Sequence, residues 1–140
     1  MPSRSFSPAV RADPIPTAVG ATAVLLSVAM MRLARIMRLR VAGDSMRPLL
    51  RPGDRLVVRP ARRWHLQTGD LVVVRDPRQR QRRMVKRVVW RNGARAWVRG
   101  DNAEASTDSR GFGWVRLPPV VARPARRYAP ADRAGRLAGA

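Results

Sequence analysis

Hydrophobic positions fall along this chain in two textures. Residues 15–31 form one apolar stretch, interrupted only by Pro16, Thr17, Gly20, Thr22 and Ser27 and free of charge. From Leu39 onward the apolar residues come in short runs: Leu56-Val57-Val58, Leu71-Val72-Val73-Val74, Val88-Val89-Trp90, Ala96-Trp97-Val98 and Pro119-Val120-Val121. Runs this short, rich in β-branched and aromatic residues, predict strands. Their separators carry turn chemistry. Pro52-Gly53 suits the two central positions of a type II turn, and Asn92-Gly93 suits a tight hairpin that pairs Val88-Val89-Trp90 antiparallel with Ala96-Trp97-Val98. The chain therefore divides into a disordered polar leader (residues 1–14), an apolar and basic helical segment (15–38), a mainly β domain (39–123) and a tail (124–140). That tail is rich in Pro, Ala, Arg and Gly without a period and reads as disordered.

As a helix, residues 15–31 would reach about 26 Å at about 1.5 Å per residue, near the ~30 Å hydrocarbon core of a bilayer. Three readings stay open. One is a membrane anchor. A second is a secretory signal, because Ser27-Val28-Ala29 has the small-x-small pattern of a cleavage site, although Asp13 and the long preceding region fit it less well. The third is a start-site artefact, since Met30, Met31 and Met37 could each begin a shorter protein, or a helix packed on the protein. Arg32, Arg35, Arg38 and Arg40 follow the stretch and only Arg4 and Arg11 precede it, so an anchor would hold the following domain in the cytoplasm.

Composition narrows the classes. Hydrophobic residues make up 45% and charged residues 27%, which excludes wholesale disorder and fibrous repeats. There is no cysteine, hence no disulfide, thiol nucleophile or thiolate metal site, and the lone His65 builds no zinc centre; no metal or cofactor is expected. The net charge of +20 suits nucleic acid or an anionic membrane surface, with Arg78, Arg80, Arg82 and Arg83 clustered in an expected loop. No helix-turn-helix pattern, zinc spacing or aromatic RNA-binding motif accompanies it, and aromatic residues are only 5%, which disfavours nucleic acid as a partner.

The basic residues comprise 28 Arg and one Lys, Lys86. Arg stays protonated in proteins, whereas a buried Lys loses its proton more readily and can serve as a base. In a strand through Met84-Val85-Lys86-Arg87-Val88-Val89-Trp90, Lys86 shares its face with Met84, Val88 and Trp90. Desolvation there would lower its pKa, making it a general base; alternatively the amine snorkels to water from an edge strand. Of seven serines, Ser45 stands at a glycine-containing turn before a segment able to form one helical turn, as an exposed nucleophile or as a helix N-cap. A polar loop from Gly100 to Gly113 is either ordered by its own hydrogen bonds, with an Asp108–Arg110 ion pair pinning it, or simply solvated.

Taken in order, Gly43-Asp44-Ser45-Met46-x-Pro48, Gly53-Asp54, Gly69-Asp70, Val85-Lys86-Arg87-Val88 and Gly100-Asp101-Asn102 through Ser106-x-Asp108-Ser109-Arg110-x-Phe112-Gly113 resemble the type I signal peptidase family of serine/lysine proteases. The resemblance covers about residues 41–123. Within the family, the short chain and the run from Gly100 to Arg110 are most similar to maturation proteases of nickel-type superoxide dismutase. It implies an antiparallel β domain with a substrate groove. Ser45 matches the nucleophile, Lys86 the general base, Ser106 the hydroxyl orienting the lysine, and Asp108 with Arg110 a supporting ion pair; Ser109 and Gly100-Asp101-Asn102 match the motif without a derived role. Gly43 stands where some members carry a second hydroxyl, and Leu49 where many carry Thr. The implied partner is a protein bearing an N-terminal propeptide, such as a nickel superoxide dismutase precursor, with no cofactor. The alternative is a membrane-tethered peptidase that removes secretory signal peptides.

Overall fold

Alternation along Leu71-Val72-Val73-Val74 sets the architecture, because this strand buries both of its faces. The computed structural model describes residues 37–139, so the leader and residues 15–36 of the apolar segment lie outside the described residues. Eight strands are present among these: β1 (Met37–Arg40), β2 (Arg55–Arg62), β3 (Leu71–Asp76), β4 (Gln79–Asn92), β5 (Arg95–Arg99), β6 (Val115–Arg116), β7 (Val120–Ala129) and β8 (Gly135–Arg136). They form one antiparallel sheet in the order β1-β2-β7-β3-β4-β5-β6, with β8 on β7. The domain is mainly β, as expected. Val72 and Val74 pack with Met84, Val88, Ala96, Val98, Val115, Leu117 and Val121 in one cluster. Leu71 packs with Val41, Met46, Leu50, Leu56, Val58, Val85 and Leu137 in a second. Each buried Leu or Val removes enough apolar surface to contribute about 1.5–3 kcal/mol.

The β3–β4 register opposes Val72 to Lys86 and Val74 to Met84, so Lys86 lies on the face of Met84 and Val88, as alternation requires. Trp90 departs from it. A register shift between Val88 and Trp90 skips Val89, opposes Trp90 to Trp97 and leaves Trp90 66% exposed. The hairpin pairs the expected strands, but Asn92 opposes Arg95, so the loop is Gly93-Ala94 and not Asn92-Gly93. Gly93, at φ 56°, supplies the left-handed conformation that the first loop position needs. Gly53, at φ 90°, does the same in the Pro52-Gly53 turn, closed by the Asp54 N–H on the Arg51 carbonyl at 3.1 Å.

Three expected boundaries change. Met37 and Arg38 are strand, opposed to Val58 and Val57, and not the end of a helix. Arg80, Arg82 and Arg83 lie within β4 and not in a loop, because buried Asp76 accepts the Arg78 N–H at 2.9 Å and tightens the turn to Pro77-Arg78. The largest correction concerns residues 124–140: described as far as Gly139, this stretch forms the rest of β7, a 3-10 turn (Ala131–Arg133) and β8. Charge and edge pairing hold it where apolar periodicity is lacking. Fully buried Asp54 is paired with Arg127 at 3.2 Å and with Arg133, Arg127 also bonds the Leu49 carbonyl at 2.7 Å, and Leu137 is buried. A buried carboxylate without such partners would cost several kcal/mol, so the ion pairs fasten the last strands to the turn after β1.

Candidate active site

That turn carries Ser45. The Val41 N–H bonds Asp54 O and the Gly53 N–H bonds Val41 O, both at 2.8 Å, which closes the base of the loop. The Leu50 N–H reaches Met46 O at 2.8 Å, the single helical turn expected, and Met46 and Leu50 are its buried anchors. Ser45 does not cap this turn. The local side-chain acceptor is Asp44, held by the Arg47 guanidinium, while half-buried Ser45 is gripped through its backbone. Asn102 donates its N–H to Ser45 O at 2.9 Å and its side-chain amide to Asp44 O at 3.2 Å.

Lys86 is 2% exposed and does not snorkel. Its Nζ donates to Ser106 Oγ at 3.0 Å, and the Ser106 hydroxyl donates to Asp108 Oδ2 at 2.8 Å. The Asp108 carboxylate is saturated: it also accepts the Gly100 N–H at 3.0 Å, the Arg110 N–H at 3.1 Å, and Arg110 Nε and Nη2 at 2.9 and 3.0 Å. Burial alone would raise the Asp108 carboxyl. The Arg110 guanidinium, the two amides and the Ser106 hydroxyl overcome it and hold its pKa well below the usual carboxylate range. Desolvation pushes the Lys86 amine below the ordinary lysine value; the Asp108 charge opposes this, and the charges of Arg82 and Arg110 reinforce it.

The loop from Gly100 to Gly113 is therefore ordered by its own bonds. Asp108 also starts a four-residue helix, α1 (Ser109–Phe112), accepting the Arg110 N–H as its N-cap. Ser109 Oγ is buried and accepts the Val98 N–H at 2.8 Å, tying the loop to β5. Asp101 forms a two-pronged pair with Arg87, at 2.8 Å for both bonds, and Arg87 continues to Gly69 O at 2.7 Å. Gly100 needs no special φ; it needs space. A Cβ there would lie 2.5 Å from Ser45 O and 2.6 Å from Ser106 Cβ. The Gly-Asp-Asn triplet thus has structural parts that its residue types did not announce: a spacer, an ion-pair partner and a clamp.

Ser45 and Lys86 line one groove of about 200 Å³, flanked by residues 39–46 on one side and 82–86 on the other. β5 pairs with β4 only from Arg87 onward, and β1 pairs only with β2. Among the described residues, both walls of the groove therefore present strand edge without a partner. Ser106, Asp108 and Arg110 stand behind Lys86, joined to it by the bonds above.

A family model described as "Signal peptidase, peptidase S26" matches residues 15–95, more than half of the chain and a stretch containing both Ser45 and Lys86. The chain belongs to the S26 signal peptidase family. Among the curated relatives of this S26 member, mitochondrial inner membrane protease subunit 2 of Danio rerio is 31% identical over 122 residues, covering 70% of this chain and 67% of the relative. Mitochondrial ATP-independent inner membrane protease subunit 1a of Arabidopsis thaliana is 31% identical, with 69% and 73% covered. The Mus musculus inner membrane protease subunit 2 is 30% identical, with 70% of each chain covered. Among the described residues of the S26 domain, no helix is long and apolar enough to cross a membrane. No group of three or more His, Cys, Asp or Glu among them could hold a metal ion.

Proposed function

We propose that this chain is a serine endopeptidase in which Ser45 attacks the scissile carbonyl and Lys86 is the general base. The observation that carries this reading is the directed chain from Lys86 through Ser106 to Asp108. The one proton of Ser106 is committed to a saturated carboxylate, so Ser106 can only accept from Lys86. A neutral amine that donates one N–H this way keeps its lone pair free for the Ser45 proton. Burial favours that neutral form. Lys86 takes the proton as the Ser45 Oγ–carbonyl bond forms, the resulting ammonium protonates the departing amine, and water then hydrolyses the acyl-enzyme. The Ser45 N–H, unused by backbone bonds among the described residues, is one donor for the oxyanion. The unpaired edges suit a substrate bound as an extended strand.

The substrate we infer is a protein with an N-terminal leader or signal peptide, cut by an enzyme tethered through residues 15–31. The names of the three relatives, all inner membrane proteases, favour this over the nickel superoxide dismutase propeptide. The Arg excess after the apolar stretch favours an active site on the cytoplasmic side, which suits a cytoplasmic propeptide, whereas removal of secretory signal peptides needs the opposite orientation. The deciding experiment incubates the full chain in detergent with a secretory preprotein and, separately, with a nickel superoxide dismutase precursor. Cleavage of the first, abolished in Ser45→Ala and Lys86→Ala, is expected. Cleavage of the second alone would restore the propeptide reading, and activity surviving in Lys86→Ala would remove the dyad. A reporter active only outside the cytoplasm, fused after Val41, would overturn the orientation by giving signal.

A further inference from the structure

The groove does not end at the dyad. Arg83 lines both the Ser45–Lys86 groove and a wider depression of about 920 Å³, whose walls also include Arg63, Arg75, Arg80 and Arg116. β1 follows the same path, Leu39 lining the first space and Met37 the second. The two are thus consecutive parts of a trench along β4 and β1. Its charge is one-sided. The acidic residues that line it, Asp44 and Asp76, are already engaged, Asp44 with Arg47 and Asp76 with Arg78 and Arg82. Arg63 and Arg75 donate to the carbonyls of Leu117 and Arg80, contacts that orient a guanidinium without neutralising it. The floor is apolar, formed by Val73, Leu117 and Ala122.

We propose that the peptide segment bound along β4 next to the cut carries acidic side chains, read by Arg83 and by the guanidinium groups of Arg75, Arg80 and Arg116. This deepens, and rests on, the peptidase reading above. An extended occupant rises about 3.3 Å per residue, so side chains about three to six residues from the scissile bond meet Arg83 and then Arg80. A basic or neutral segment would leave these guanidinium groups without a counter-charge from the occupant. Exposed ion pairs of this kind change affinity by up to about fivefold each, and several acting together by about tenfold or more.

The test separates charge preference from catalysis. Full-length Ser45→Ala protein is titrated, with fluorescence anisotropy as readout, against extended peptides carrying Asp, Asn or Lys at three to six positions before or after the cut. Asp peptides of one series should bind at least about fivefold more tightly than their Asn counterparts, and the difference should shrink as salt rises from 0.05 to 0.5 M. Arg83→Glu should reverse the order toward Lys peptides, while Arg95→Glu, on β5 outside the trench, should not. Equal binding of Asp and Asn peptides, or the same response to both variants, would reduce the effect to the overall +20 charge and overturn the proposal. Cleavage by the wild-type chain is scored separately. Peptides bound with the expected order but never cut would sink the peptidase reading and leave the charge preference standing; peptides cut without any order would do the reverse.

Discussion

Gly100→Ala is the sharpest probe of how the two loops of the site meet. The new methyl would sit 2.5 Å from a backbone oxygen, that of Ser45, and 2.6 Å from Ser106 Cβ, well inside van der Waals contact. Neither neighbour is the loose end of a long side chain: Ser45 O is held by Asn102, and Ser106 by Lys86 and Asp108. Something must move, and overpacking of this kind costs about 1–3 kcal/mol. For a domain of this size that lowers the melting temperature by about 5–20 °C. The displacement also separates the groups that must align, which can cost about a hundredfold in turnover. Gly111→Ala is the internal control, because a Cβ there meets nothing within 4 Å and the residue lies in α1, where alanine is the better helix former. Both variants would be melted by circular dichroism and assayed for peptide cleavage at a temperature where each is folded. A Gly100→Ala protein with wild-type turnover and a melting temperature no lower than that of Gly111→Ala would refute the close-contact account of this site.

Lys86→Arg should be as inactive as Lys86→Ala, because a guanidinium keeps its proton at any working pH; measurable turnover in the Arg variant would exclude proton transfer at this position. Asp108→Asn should be less stable than wild type at neutral pH, with the gap closing in acid. The folded-state pKa of Asp108 is depressed, so its stabilising contribution is complete above the unfolded value near 4 and fades as pH falls toward the lower folded value. Urea titrations at pH 3 and pH 7 check this, and a gap independent of pH would contradict it. Arg133→Ala should lose about 1.5–3 kcal/mol by removing a partner from fully buried Asp54, measured by urea unfolding, while an exposed arginine such as Arg95 should tolerate the same change.

Much of the fold could be read locally because its strands declare themselves in short windows. The uninterrupted Leu71–Val74 run marks a strand buried on both faces, and period two through Met84, Lys86 and Val88 marks which side of β4 the lysine occupies. The same rule fails at Trp90 because a one-residue bulge resets the phase, and no local pattern announces a bulge. The hairpin turn slipped by one residue because Asn92 can complete the ladder while Gly93 alone meets the φ requirement. Residues beyond Pro124 were opaque for a different reason. Their anchor is a carboxylate far back in the chain, and an ion pair spanning 79 positions leaves no periodic trace near Arg133. In the site, side-chain chemistry made Lys86 and Ser45 candidates, whereas the grip of Asn102 on Ser45 passes through the backbone and has no residue-type signature.

The Asp54 anchor bears on how this enzyme comes into being. A ribosome emits Asp54 79 residues ahead of Arg133, so the Ser45 turn can close its base with local backbone bonds while the Asp54 carboxylate still awaits its arginines. The ends of the domain are thereby made interdependent: the buried carboxylate beside the Ser45 turn reaches its full set of charge partners only when the C-terminal strands are in place.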